Sequence, residues 1–340
     1  MDSISPKERI FRVFDKKDVD RPPVVCPGGM MNAAIVDVMN STGHTLPEAH
    51  HDDRLMAALA EDVYTHTGFE NFGIPFCMTV EAEVLGSEIN FGTLNCEPKI
   101  QTERFADVSR VEHKDIQQML KQGRISNVVQ AGWHLSRKNT DVPVIGNLTG
   151  PISTAASVVD PMNFLKALRK DKSGSHNVLN YVTDFLIAYA QLMIEGGATI
   201  ISIGDPTATG EILGPNMFKE YAVVYLNKLI DGIRKNDTPV IVHICGDLGS
   251  VKQYIPDIRS QAISTDAKVS LKQLKEEYPS IVTMGNLSTY MLEFGNPESV
   301  STQTKRLVDQ KIDIIAPACG LSTSSSLDNI RALTQTVKEK

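Results

Sequence analysis

The chain has no run of about 18 apolar residues, the length a membrane-spanning helix needs, so no membrane span is expected. Positive charge is also in deficit: 34 Lys and Arg stand against 41 Asp and Glu, a formal net charge of -7. With no basic stripe interleaved with aromatics, nucleic acid is not an expected partner. The opening stretch MDSISPKERIFRVFDKKDVDRPP is charged throughout and has no apolar signal-peptide core, which points to the cytoplasm. Cysteine is scarce and odd in number, at Cys26, Cys77, Cys96, Cys245 and Cys319, and the set forms no disulfide framework. In a reducing compartment a cysteine with a task is a metal ligand or a nucleophile. The sequons at Asn147 and Asn286 then carry no glycan. Low-complexity linkers, internal repeats of 20 to 50 residues and charge runs are missing too, and one domain over residues 1–340 is the simpler organisation.

What is present is enough apolar material, 41% of residues with 22% charged, for a large folded core. From about residue 140 onward, short β-branched runs alternate with longer amphipathic segments, the pattern of repeated βα units on a parallel sheet. Strands are expected at 142–147, 199–204, 239–243, 261–265, 281–285 and 311–316. Helical periodicity fills the gaps at 177–195, 215–235, 297–310 and 326–338, several of them opened by Pro or Ser start signals. Two further strands, at 23–26 and 70–74, bring the count to eight. A (β/α)8 barrel with an N-terminal extension and an insertion at about 77–140, extended or hairpin-like from Cys77 to Gln101, is the preferred fold. A doubly wound open sheet fits the same alternation.

The chemistry concentrates at strand ends. His243 closes one buried strand and Cys245 follows two residues later, so both side chains point to the same side. Cys319 sits just past a later strand and before Gly320. In a parallel barrel the residues after the strands gather at one face, which brings His243, Cys245 and Cys319 together. Two thiolates and an imidazole favour zinc over magnesium or calcium, and three protein ligands leave an exchangeable fourth position. Asp205 and Asp266 follow strands at the same face and are the catalytic candidates. Asp266 is expected as a fourth zinc ligand or as the acceptor that orients His243; Asp205 acts on a substrate proton or caps the helix that follows it.

The remaining polar residues read more plainly. His44, His50, His51, Asp52 and Asp53 straddle a turn and a helix start as a solvated face. Cys77 and Cys96 read as fillers of the insertion. Gly28-Gly29 lets a substrate approach the backbone but makes no phosphate loop, and Met30-Met31 reads as packing.

Several segments together resemble the uroporphyrinogen decarboxylase-like superfamily, and within it the methylcobamide:coenzyme M methyltransferases of methanogens and their bacterial relatives. They are Val19-Asp-Arg-Pro-Pro23, Pro47-Glu-Ala-His50, Gly86-Ser-Glu-Ile-Asn-Phe-Gly-Thr93, Glu195-Gly-Gly-Ala198, Gly204-Asp-Pro206, His243-Ile-Cys-Gly246, Gly285-Asn286 and Ala316-Pro-Ala-Cys-Gly320. The discriminating pattern is His-x-Cys followed distantly by Cys. The resemblance implies zinc at His243, Cys245 and Cys319, and methyl transfer from a methylated corrinoid, carried by a partner protein, to a small thiol such as coenzyme M. It also implies alternatives: another donor or acceptor, as in an O-demethylase component or tetrahydrofolate methylation, and more remotely porphyrinogen decarboxylation. Relatives carry a glutamate where this chain has Asp266.

Overall fold

The computed structural model describes residues 4–339. Nine strands form, labelled β1 (Phe72–Ile74), β2 (Glu88–Asn90), β3 (Lys99–Thr102), β4 (Val144–Thr149), β5 (Ile200–Gly204), β6 (Val240–Ile244), β7 (Ala262–Thr265), β8 (Val282–Leu287) and β9 (Ile314–Pro317). Seven of them make one parallel sheet in the order β1-β4-β5-β6-β7-β8-β9. Every residue of β4 through β9 is buried, as a sheet covered on both faces requires.

The sheet closes through the segment around Val24, which bridges β9 in parallel: Val25 N–H donates to the Ile315 carbonyl at 3.0 Å and Ile315 N–H to Pro23 at 2.9 Å. On its other side the Asn71 carboxamide exchanges two 2.9 Å hydrogen bonds with the backbone of Cys26. The fold is therefore the eight-membered barrel. Its first member is no more than a bridge because Pro22 and Pro23 have no N–H to give a ladder, and a side-chain amide takes the place of a strand neighbour.

Inside the barrel Val25, Met31, Ile145, Ile200, Ile241, Ala262, Val282, Met284, Ile314 and Ala316 pack as one cluster, joined by Ile10 and Val13. Those two come from the helix Pro6–Phe14, which plugs the end where the strands begin; Lys7 N–H donates to Asp141, just ahead of β4. Arg9 and Arg21 both bond Glu70, with Arg9 Nη1 at 3.0 Å and Arg21 Nη2 at 2.7 Å from its Oε1, and lock that plug to the rim. The residues that follow the strands gather at the opposite end.

The stretch after β1 departs from a simple hairpin. It forms the short helix Val80–Val84 before the antiparallel pair β2–β3, and later the regular helix Ile125–Lys138, which packs on β1 and β4. No helix among the described residues is long and apolar enough to cross a membrane.

Candidate metal centre

His243 lies on β6, in register with Gly204 on β5 and Ser264 on β7. Its Nδ1 is 3.0 Å from the Ser264 hydroxyl, which leaves Nε2 to face Cys245 Sγ at 3.2 Å. Cys319 reaches in from the far side, past β9, and its Sγ is 3.7 Å from that of Cys245. All three donor atoms fall within 4.8 Å of one another, the imidazole buried and the two thiols half-buried.

Zinc bonds of about 2.3 Å to sulfur and about 2.0 Å to nitrogen, at tetrahedral angles, hold two sulfurs about 3.8 Å apart and a nitrogen about 3.5 Å from each sulfur. The distances here are close to one face of that tetrahedron, so the donor set fits a zinc ion in size as well as in softness. Accepting the Cys245 hydrogen bond, against the burial that opposes it, holds Cys319 below the usual thiol range, while Cys245 is pushed up by that partner and by burial. A divalent ion held here would take both sulfurs as thiolates.

The two expected carboxylates lie near the trio without being part of it. Asp205 is fully buried and its oxygens are occupied: Ser153 N–H and hydroxyl donate at 2.8 and 2.6 Å, and Ile152 N–H at 3.1 Å. It caps a helix, but Pro151–Val158 from the preceding βα unit rather than the one that follows it. Burial, offset in part by those donors, raises its carboxyl to about 6. The approach is so close that a Cβ on Gly150 would lie 2.4 Å from Asp205 Cβ. Asp266 is half-buried beside the trio without joining it, and its Oδ1 accepts the Lys268 N–H at 3.0 Å. The partner that orients His243 is Ser264, which sequence reasoning passed over although it sits two residues before Asp266.

The uroporphyrinogen decarboxylase family profile matches residues 5–340. The chain belongs to that family. Across 340 residues it is 31% identical to the methylcobamide:CoM methyltransferase MtbA of Methanosarcina acetivorans, covering 99% of both chains. The corresponding MtaA enzyme of Methanosarcina barkeri is 30% identical over 98% of this chain and 97% of its own. A solved methyltransferase from Methanosarcina mazei superposes with a TM-score of 0.92 at 29% identity, covering 99% of each chain. Within the uroporphyrinogen decarboxylase family the chain thus groups with the methylcobamide:CoM methyltransferases.

A second polar cluster lies at the same end of the barrel, where sequence reasoning saw a solvated face and a filler cysteine. His50 is completely buried beside Cys77. The buried Arg124 donates to Glu83 at 2.6 Å, to Thr79 at 2.9 Å and to Cys77 Sγ at 3.3 Å, and its guanidinium lies 5.0 Å from the Phe91 ring. Burial pushes the Cys77 thiol up, but the guanidinium, His50 and the Thr79 hydroxyl together outweigh it and the net position is about 5. His44 and Asp53 pair instead with Asp62 and His134. Motif spacing gives no sign of Arg124, which is 47 residues from Cys77.

Glu81, in the helix after β1, is fully buried and accepts from Thr149 N–H at 2.8 Å and hydroxyl at 3.1 Å. Burial raises its carboxyl to about 7. A carboxyl raised on folding adds stability that is complete below its unfolded value, near 4.5, and is lost as pH rises through 7. Glu81→Gln keeps an oxygen to accept from the Thr149 N–H, turns an amide N–H donor toward the Thr149 hydroxyl, and cannot ionise. Between pH 5 and 7 the wild type is therefore expected to lose about 2 kcal/mol relative to this variant, at 1.36 kcal/mol per unit of pKa shift. Urea unfolding at the two pH values measures the difference, and parallel pH dependence of the two proteins would contradict it.

Proposed function

We propose that this protein is a zinc-dependent methyltransferase that moves a methyl group from a methylated corrinoid to a small thiol such as coenzyme M. The observation that carries the reading is the half-tetrahedron of His243, Cys245 and Cys319 at the open end of a barrel similar, end to end, to methylcobamide:CoM methyltransferases. Zinc bound there supplies Lewis acidity that lowers the pKa of a coordinated thiol and holds its sulfur in place.

The chain's own residues do the rest. Ser264 holds the tilt of His243 through Nδ1, the kind of support on which ligand geometry depends. Asp205 ties the end of β5 to the helix Pro151–Val158 and so keeps the wall beside His243 rigid. The helix Pro6–Phe14 packs under the opposite end of the barrel, and we place both substrates at the end that carries the trio. We place the corrinoid on a partner protein that docks over this end. Attack by sulfur on the methyl carbon forms the thioether carbon–sulfur bond. The cobalt–carbon bond breaks with its electron pair left on cobalt, giving cobalt(I), and the thiol proton passes to solvent. The corrinoid performs the difficult cleavage, and the protein contributes nucleophile and geometry.

The test is direct. Purified protein is expected to hold one zinc per chain and to convert methylcobalamin to cobalt(I) only when coenzyme M is added. Metal-free protein with full activity, or zinc protein inert toward every thiol, would overturn the proposal.

A further inference from the structure

The pair Met30-Met31 is split by the structure. Met31 is 2% exposed and belongs to the barrel interior, whereas Met30 is half-buried at the open end. Met30 is held there by a tight turn in which Gly28 and Met31 exchange two backbone hydrogen bonds, both of 3.0 Å. The turn uses positive φ at Gly28 and Gly29, of 112° and 62°, which side-chain-bearing residues avoid. It is pinned from outside as well: Gly29 N–H donates to the Pro75 carbonyl at 2.8 Å, and Asn32 Nδ2 donates to the Gly29 carbonyl at 2.8 Å.

This turn carries Met30 across the metal centre. Its carbonyl oxygen is 3.1 Å from the point a Cβ on Gly320 would occupy, directly after Cys319. Its Sδ lies 3.8 Å from the same point on Gly204, the residue in register with His243, and the Met78 Cε comes within 3.7 Å of that point. Met30 therefore runs from the neighbour of one ligand to the strand partner of another, and two flexible, apolar thioether side chains meet in the space that Gly204 leaves free.

We propose that Met30, with Met78, forms the apolar wall of the acceptor pocket and restricts it to thiols whose carbon next to sulfur is unbranched. The inference rests on a thiol entering the open position of the metal centre, as in the function proposed above. A sulfur bound there carries its first carbon against this wall. The wall accepts a methylene and collides with a branch, because both backbone ends of the Met30 turn are fixed.

Cobalt(II)-substituted protein provides a readout that needs no methyl donor, the sulfur-to-metal charge-transfer absorption that appears when a thiol ligates. Titration with ethanethiol and with propane-2-thiol is expected to favour ethanethiol by about tenfold or more, the discrimination one extra carbon brings in a closed pocket. Met30→Ala is expected to shrink that ratio to about threefold or less, on the same scale of pocket discrimination. Met30→Leu, which conserves volume, is expected to retain it. A wild-type ratio near unity, an unchanged ratio in Met30→Ala, or no ligation by either thiol overturns the proposal. If both thiols ligate with the expected ratio while methylcobalamin is not demethylated, the wall stands and the methyl-transfer reading fails.

Discussion

Cys319→Ala is expected to lose its zinc and to lower thiol-dependent demethylation of methylcobalamin by about a thousandfold or more. Two donors, His243 and Cys245, remain after the substitution, and both sit on one strand end, with nothing on the far side to complete the cage. An unligated thiol at neutral pH is only a few per cent thiolate and is not held in line with the methyl group, so both activation and positioning disappear together. The fold is not at risk, because Cys319 is half-buried and lies beyond β9, whose ladder to β8 is unaffected. Metal content, a thermal melt and the demethylation rate on the same preparation separate these effects. A variant that keeps one tightly held zinc, or keeps its rate, would sink the assignment of Cys319 as a ligand.

Arg124→Met is expected to destabilise the protein by about 3 to 5 kcal/mol without touching the metal centre. The side chain is buried, and its three donor groups serve Glu83, Thr79 and Cys77. Methionine fills much of the volume but leaves those partners without a donor or a counter-charge. The Cys77 thiol also responds. Held near 5 by the guanidinium together with His50 and Thr79 against burial, it rises back toward its ordinary value of 9 once the guanidinium is removed. The stability linked to this depressed thiol is complete above pH 9 and is lost as pH falls through 5, so the deficit of the variant is expected to narrow toward acid. Urea unfolding at pH 8 and pH 5 measures both parts. A variant as stable as wild type at pH 8 would show that the guanidinium contributes nothing net.

The barrel was legible in the sequence from β4 onward because a strand covered on both faces must be a short run of β-branched and apolar residues, and little else in a chain looks like one. The convergence of His243, Cys245 and Cys319 was legible for a related reason: a His and a Cys two apart at a strand end, and a second Cys at another, meet wherever strands are parallel. Reading failed where the deciding contact is remote in sequence. The partner of Asp205 is 52 residues away, at Ser153, and local capping logic pointed to the following helix instead. His50 and Cys77 looked like a polar face and a filler because the arginine that defines their surroundings enters from a distant helix start. Ser264 was missed for want of any distinguishing spacing; only register with His243 reveals it. The short helix Val80–Val84 was hidden inside a stretch whose alternation suggested a hairpin.

The placement of Cys319 has a bearing on how the protein is made. The third sulfur follows the last strand of the barrel, 74 residues beyond Cys245. A growing polypeptide presents His243 and Cys245 early, but two donors on one strand end bind zinc poorly. The third donor comes into place only after β9 has docked between β8 and the segment around Val24, the same event that seals the ring. On the proposed function, metal capture would be conditional on complete assembly. An interrupted or misfolded product would stay metal-poor, and the ion would in turn favour the sealed ring by mass action, a safeguard against catalysis by half-built molecules.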